Sequence, residues 1–227
     1  MKTKHRSIQQ IVEEQVQRWQ ILHPAAAREK REIPVITISR EPGSGGRLIA
    51  ESLASDLGIS IFHQEMIHRM AESAQVHRSL LKTLDEKAMN VLEDWISSLV
   101  DSHHLWPDEY LKHLMKVVGV VGKHGRAVLV GRGANFILPP NRRFRLRIIA
   151  PREIRIEHVA KAFGVSPVEA KRRIIRTESD RRAFIRKHFN ADIDDPLNYD
   201  LIINTGTVGI DDAVGAVRSA LGVSDPP

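Results

Sequence analysis

Residues 35–48 read Val-Ile-Thr-Ile-Ser-Arg-Glu-Pro-Gly-Ser-Gly-Gly-Arg-Leu, and this stretch decides the fold. A β-branched run, Val35 to Ile38, leads into a glycine-rich loop, and apolar residues at helical spacing follow until Gly58. A helix start presents unpaired backbone N–H groups and the positive end of its dipole, and glycines let the backbone approach an anion closely. The stretch therefore predicts a phosphate-binding loop between a strand and a helix, although an ordinary strand-to-helix turn also favours glycine.

Length and composition set the class of protein. A chain of 227 residues can bury a full core, and one α/β domain with an added segment is expected. No run approaches the roughly 18 apolar residues of a membrane span, and the first residues lack the pattern of a signal peptide. The sequence has no cysteine, which excludes disulfides and thiolate metal sites. These features predict a cytoplasmic protein with no membrane partner.

The positive charge is concentrated in one segment. Residues 171–187 carry eight basic and two acidic side chains, an excess that accounts for the whole net charge of +6. A local arginine cluster suits a compact polyphosphate, whereas a nucleic-acid binder usually needs a broader basic face. The segment therefore predicts phosphate binding and no nucleic-acid partner; the alternative is a solvated basic helix face.

Five short apolar runs alternate with helical patterns along the chain. The predicted strands are Val35 to Ile38, Ile59 to His63, Ala127 to Gly131, Phe144 to Ala150 and Leu201 to Asn204. This alternation, with a glycine loop after the first strand, predicts a doubly wound, three-layer α/β fold around a five-stranded parallel sheet. Ligands are then expected beyond the carboxyl ends of the strands.

The predicted organisation has three parts. Residues 1–32 form an N-terminal helical extension and linker, 33–222 the α/β domain, and 223–227 a tail. Within the domain, 76–123 are helical, with breaks near Arg78, Asp101 and Trp106-Pro107, and 171–196 hold the arginine-rich helix and the turn after it. The apolar face of the N-terminal helix is expected to pack on the body or on a second subunit, which makes a homo-oligomer a candidate. The histidines lack the spacing of a known metal site. The Asp192-Ile-Asp-Asp195 cluster could bind a metal, but because it precedes Pro196 it is expected to shape a turn, so no protein metal ligand is assigned.

Four motifs stand out along the chain: Ile36-Thr-Ile-Ser-Arg-Glu-Pro-Gly-Ser-Gly-Gly-Arg, Val130-Gly-Arg-Gly133, Asp180-Arg-Arg with Arg186, and Tyr199-Asp-Leu-Ile-Ile-Asn-Thr205. Together they resemble the cytidylate kinase-like family of nucleoside monophosphate kinases over about Val35 to Leu221. The resemblance implies a three-layer P-loop kinase-like fold, in which 33–222 form the P-loop kinase-like domain, 76–123 a helical insertion in the acceptor region and 171–196 a lid-like region. It implies that Arg132 binds the phosphate of the acceptor, where Gly133 replaces an aspartate of the family pattern. It also implies that the lid arginines Arg181, Arg182 and Arg186 clamp the phosphates in transfer, where Ala183 replaces a second aspartate.

The glycine loop itself departs from the pattern G-x-x-x-x-G-K-[ST]. In an ungapped register with a cytidylate kinase, Arg40 replaces the first glycine, Gly46 replaces the lysine, and Leu48 replaces the magnesium-binding hydroxyl. A missing ammonium near phosphate costs about 4 kcal/mol at an effective dielectric near 20 unless another cation takes its place. Arg40 and Arg47 are the nearby candidates. The donor phosphates are therefore assigned to Arg40, Gly43, Ser44, Gly45, Gly46 and Arg47, and Arg47 is added to the catalytic arginines.

The resemblance implies an ATP-dependent transfer of the γ-phosphoryl group to a small phosphorylated acceptor, with CMP as a candidate. Such transfer needs positioning and charge neutralisation more than an acid or a nucleophile from the protein. Mg²⁺ is expected to enter mainly with the phosphates of ATP, with Ser39 and Ser44 as nearby oxygen donors. The alternative, motivated by the missing lysine and hydroxyl, is a nucleotide-sensing or regulatory protein on the same scaffold.

Overall fold

The computed structural model describes residues 33–73 and 80–223, together with Glu14. Its centre is a five-stranded parallel sheet in the order β2-β3-β1-β4-β5. The strands are β1 (Val35–Arg40), β2 (Ser60–Phe62), β3 (Ala127–Val130), β4 (Arg143–Ile149) and β5 (Leu201–Asn204). This arrangement confirms the predicted three-layer P-loop kinase-type fold, because helices cover both faces of the sheet.

The helices follow the strands in the predicted alternation. They are α1 (Gly46–Asp56), α2 (Gln64–Glu72), α3 (Glu86–Ser102), α4 (Glu109–His124), α5 (Ala134–Ile137), α6 (Arg152–Phe163), α7 (Pro167–Phe189) and α8 (Ile210–Ala220). Short 3₁₀ turns lie at Pro140–Arg142 and Pro196–Asn198. The predicted breaks near Asp101 and Trp106-Pro107 correspond to the loop between α3 and α4. Asp85 and Asp108 begin these two helices, because each carboxylate accepts the N–H of the residue three positions ahead.

The two faces of the sheet bury alternate residues of the central strands. Ile36 and Ile38 of β1 pack with α1 and α8, whereas Val35 packs on the opposite side with α2, α4 and α5. The same alternation holds in β3, where Val128 and Val130 face α1 while Leu129 faces α4. Two apolar clusters separated by the sheet therefore form the core.

Helices α6 and α7 form a hairpin that leaves the sheet and returns to it. Ser166 caps α7 through the N–H of Glu169, Pro167 occupies its first turn, and Asn190 ends it in the left-handed conformation. Val159 of α6 packs against α7 in a small apolar cluster of their own. The arginine-rich segment is thus one continuous helix. Its C-terminal half packs through Ile185 and Phe189 into the apolar cluster on one side of the sheet.

Some predictions fall on parts of the chain that are not described. The N-terminal helix, apart from Glu14, and the break near Arg78 lie outside the described residues. The division into extension, domain, lid and tail remains a prediction. Within residues 33–73 and 80–223, no helix has both the length and the apolar character needed to traverse a bilayer.

Candidate functional site

The glycine loop lies at the carboxyl end of the central strand β1. Gly43 and Gly45 have φ angles of +82° and +73°, which favour glycine. At Gly43 space is also limiting, because a Cβ there would lie 2.6 Å from the carbonyl oxygen of Arg155. Gly45 caps α1, so the N–H groups of Gly46, Arg47 and the next residue have no partner within the helix. The loop therefore has the conformation that an anion site at a helix start requires.

The hydroxyl groups near the loop are already used by the fold. Ser44 is fully buried and its Oγ donates to the carbonyl of Glu41 at 2.9 Å. Ser39 Oγ accepts hydrogen bonds from Arg147 Nη1 at 2.7 Å and from the Tyr199 hydroxyl at 3.3 Å. Ser39 Oγ thus already accepts two hydrogen bonds, whereas Ser44 Oγ donates one and keeps its lone pairs, and their expected role as magnesium donors stays a prediction. The residues present fit the phosphates of a nucleotide, and a Mg²⁺ ion would depend on those phosphates and on water for its ligands.

Arg40 is the last residue of β1, and its side chain is partly buried. Burial lowers the pKa of its guanidinium, against an opposing contribution from Glu65 and a supporting one from Arg47. A Cβ built on Gly131 would lie 3.8 Å from Arg40 Nη1, so the guanidinium reaches toward the turn after β3. The side chain therefore lies between the glycine loop and the residues assigned to the acceptor.

Arg132 lies in a turn of three residues with positive φ, Gly131 at +79°, Arg132 at +56° and Gly133 at +68°. Such a conformation is uncommon for a residue other than glycine, asparagine or aspartate. The guanidinium lies 5.3 Å from the ring centroid of Phe184, a cation–π contact with α7. Its Nε is buried and has no hydrogen-bond partner among residues 33–73 and 80–223. The turn thus holds the Arg132 guanidinium at the end of β3, where its Nε can still donate a hydrogen bond to a ligand.

The packing around position 133 explains why glycine stands where the family pattern has an aspartate. A Cβ there would lie 2.2 Å from Cε2 of Phe189, the last residue of α7. Phe189 in turn stacks on Phe136 with 5.3 Å between ring centroids. The end of α7 occupies the space that a side chain at position 133 would need.

Among the arginines predicted at the phosphates from α7, Arg181 is the one that lines the cavity. Its Nη1 donates to the carbonyl oxygen of Arg40. Burial lowers its pKa to about 10, and the charges of Arg40, Arg147 and Arg132 act in the same direction. Arg40, Arg132 and Arg181 line one cavity of about 170 Å³. Three guanidinium groups from three separate elements therefore converge where the sequence predicted phosphates.

The other predicted arginines lie elsewhere. Arg182 donates to Asp194 at 2.8 Å, and Arg186, one helical turn further along, is exposed. Arg47 is 69% exposed and pairs with Glu51 at 2.8 Å. Neither Arg182, Arg186 nor the side chain of Arg47 lines the cavity in this conformation.

Two buried arginines that sequence reasoning did not single out hold this arrangement together. Arg147 of β4 donates to Ser39 and, at 2.6 Å, to Asp194, which also accepts from Arg182. β4 has arginine at each of positions 143, 145 and 147, so its sequence carries no signal that sets Arg147 apart as the buried one. Asp194 lies in the acidic turn after α7, where the Asp192 carboxylate accepts its N–H at 3.0 Å. The predicted turn-forming role of this acidic cluster agrees with that contact.

Arg155 of α6 connects the glycine loop with α7. It pairs with Glu178 of α7 and, at 3.3 Å, with Glu41 of the loop, while its Nε donates to the carbonyl of Ala150 at 2.9 Å. Nothing in the sequence around Arg155 distinguishes it from the exposed basic residues of the same helix. Its partners become visible only when α6 is packed on the sheet.

Beside Arg132 lies a group of titratable rings. His68 Nδ1 and the Tyr110 hydroxyl are 3.0 Å apart, and the Tyr110 and His188 ring centroids are 6.4 Å apart. Burial lowers the pKa of both histidines, and the charge of Arg132 contributes in the same direction. These rings extend the site from Arg132 toward α2 and α4. Among the described residues, no three His, Asp or Glu side chains are grouped so as to hold a metal ion.

Known proteins resemble this chain over most of its length. The model of the cytidylate kinase-like family matches residues 35–207. A cytidylate kinase of Ignicoccus hospitalis is 26% identical over 187 residues, which cover 82% of this chain and 98% of that protein. A cytidylate kinase of Pyrococcus horikoshii is 27% identical over 192 residues, covering 85% and 90%. An uncharacterized protein from Eubacterium ventriosum, 23% identical, has the same fold with a TM-score of 0.66 over 85% of this chain and 100% of its own.

Proposed function

Because the chain belongs to the cytidylate kinase-like family, we propose that it is an ATP-dependent phosphotransferase of the nucleoside monophosphate kinase type. Its acceptor is a small phosphorylated compound, and CMP is the first candidate because the relatives are named cytidylate kinases. One observation carries the proposal: Arg40, Arg132 and Arg181 line the same cavity at the carboxyl ends of β1 and β3, next to a glycine loop. The cytoplasmic location expected from the sequence remains a prediction.

In the proposed reaction, the backbone N–H groups from Gly43 to Arg47 hold the donor phosphates, and Arg132 orients the acceptor phosphate. An oxygen of the acceptor phosphate attacks the γ-phosphorus, the bond to the β–γ bridging oxygen breaks, and ADP leaves with that electron pair. Arg181 offsets the negative charge of the transferring group, a contribution that can reach roughly a thousandfold in rate. Mg²⁺, carried by the nucleotide, would neutralise charge on the donor phosphates.

Arg182 and Arg186 are proposed to belong to the closing surface of the lid. They lie on another side of α7 from Arg181, so a contact with phosphate requires α7 to rotate or shift after substrates bind. Arg182 would then exchange Asp194 for an anion. For Arg47, the proposal relies on its backbone N–H, because its side chain pairs with Glu51.

The test is ADP release from ATP and Mg²⁺ with CMP, dCMP, UMP, AMP or GMP, and with no acceptor as control. Acceptor-dependent ADP is expected, and Arg181→Met should lower its rate at least a hundredfold while the protein stays folded. Arg172→Met is the matched control, since Arg172 is an exposed arginine of the same helix paired with Glu169. An Arg181→Met protein with unchanged turnover would contradict the proposed role.

A nucleotide-sensing protein is the second candidate. It is favoured by Leu48, which supplies no hydroxyl, and by Ser39, whose Oγ already accepts two hydrogen bonds. A sensor would show a higher melting temperature with ATP and no ADP release with any acceptor. Turnover that depends on one acceptor would reject it.

A further inference from the structure

The two departures of the glycine loop from the strict pattern are spatially related. The pattern has a glycine at the first position and a lysine directly after the last glycine, and the lysine reaches the donor phosphates. This chain has Arg40 at the first position and Gly46 at the other. Considered separately, each substitution removes a feature of the phosphate site.

The side chain of Arg40 occupies the space beside Gly46. A Cβ built on Gly46 would lie 2.8 Å from Cβ and 3.2 Å from Cδ of Arg40, and 3.3 Å from Cβ of Ile148. The φ angle of Gly46 lies outside the left-handed region, so its backbone does not require glycine. Space, and not conformation, is therefore the reason for glycine at position 46.

The Arg40 side chain is partly buried. Among the described residues, no carboxylate forms a salt bridge with it and no acceptor takes a hydrogen bond from it. The charge of Glu65 acts on it only from a distance, and the guanidinium of Arg181 lies close enough to repel it. An anion in the adjoining cavity would offset both the repulsion between these two cations and their partial loss of hydration.

We propose that Arg40 and Gly46 are a reciprocal exchange, in which the phosphate-binding cation has moved from the helix side of the loop to its strand side. Arg40 takes the place of the lysine, and Gly46 is the residue that makes room for it. The move brings the cation to the same cavity as Arg132 and Arg181, so it meets the donor phosphates from the acceptor side. This inference about Arg40 as the phosphate cation rests on the proposed function.

The steric part of the exchange is tested without any substrate. The melting temperature is measured for the wild type, Arg40→Gly, Gly46→Lys and the double variant. Gly46→Lys alone should lower it by several degrees, because the lysine stem meets Arg40, and adding Arg40→Gly should restore most of that loss. If the two effects simply add, the side chains do not compete for one space and the exchange is rejected.

The electrostatic part is tested by Mg²⁺–ADP affinity and by acceptor-dependent ADP release. Arg40→Met, which keeps much of the stem and removes the charge, should weaken ADP binding at least tenfold and lower turnover at least a hundredfold. The double variant Arg40→Gly with Gly46→Lys should turn over at least tenfold faster than either Arg40→Gly or Gly46→Lys alone. Arg172→Met should match the wild type in both assays.

The outcomes separate this inference from the proposed function. A wild type that releases no ADP with any acceptor, but whose ADP affinity still falls in Arg40→Met, would reject the kinase and retain the exchange. A wild type that turns over with an Arg40→Met variant equally active and equally tight for ADP would retain the kinase and reject Arg40 as the phosphate cation.

Discussion

Arg155 offers the sharpest test of how the glycine loop and α7 are held together. Its side chain is 5% exposed, and it pairs with Glu178, 10% exposed, and Glu41, 18% exposed. Within residues 33–73 and 80–223, Arg155 is the only cation shown to contact both carboxylates, and Arg155→Met removes it while keeping much of the packed stem. Removing one partner of a buried ion pair costs about 3–5 kcal/mol, because the remaining charge is left without compensation.

For a chain of this size, each kcal/mol lowers the melting temperature by about 2–4 °C, so Arg155→Met should melt roughly 6–20 °C below the wild type. Urea unfolding followed by circular dichroism gives the free energy directly. The control is Arg173→Met, which breaks an exposed pair with Glu169 and should cost less than about 1 kcal/mol.

A second variant distinguishes charge from packing. Arg155→Met combined with Glu178→Met replaces the buried pair by apolar groups, which is often nearly neutral. It should recover most of the lost stability, since Glu41 also accepts the N–H of Ala150 at 3.0 Å. A single variant within about 1 kcal/mol of the wild type, or a double variant no more stable than the single one, would refute the reasoning.

Three further predictions follow from the same contacts. Inorganic phosphate should raise the melting temperature of the wild type and of Arg172→Met, but much less that of Arg181→Met, because Arg181 is one of the three guanidinium groups at the cavity; equal protection of Arg181→Met would contradict this. Gly133→Ala should lower the free energy of unfolding by about 2 kcal/mol or more, since the left-handed φ and the contact with Phe189 are both strained, and a neutral result in urea unfolding would be inconsistent with the packing. Asp194→Asn weakens a charge-assisted hydrogen bond to buried Arg147 and should cost about 2 kcal/mol, with faster amide exchange expected at the end of α7 and unchanged exchange counting against it.

Local sequence patterns were sufficient for the framework of the site. The β-branched run, the glycines and the helical spacing from Val35 to Gly58 predicted the strand, the loop and α1, because each of these elements depends on residues close together in the chain. Arg132 was singled out by the resemblance of Val130-Gly-Arg-Gly133 to a family motif, and the turn that holds it became visible in the structure. The motifs also led to the correct family, since they combine several short patterns in a fixed order.

The tertiary structure was needed to tell which arginine of α7 faces the cavity. Arg181 and Arg182 are neighbours, and successive residues of a helix point about 100° apart. The packing of α7 on the sheet decides that Arg181 faces the cavity while Arg182 pairs with Asp194. The sequence shows two adjacent arginines, and it does not show which of them pairs with a carboxylate.

The sequence by itself determined the order of strands and helices, the glycine loop and the presence of a cation at the end of β3, because these follow from neighbouring residues. Only the tertiary structure decided that Arg40 fills the space beside Gly46, that Arg155 holds the loop to α7, and which arginines meet at the cavity. The physical reason is that burial and pairing of a charge depend on residues far apart in the chain, and those distances exist only after the sheet and α7 have packed.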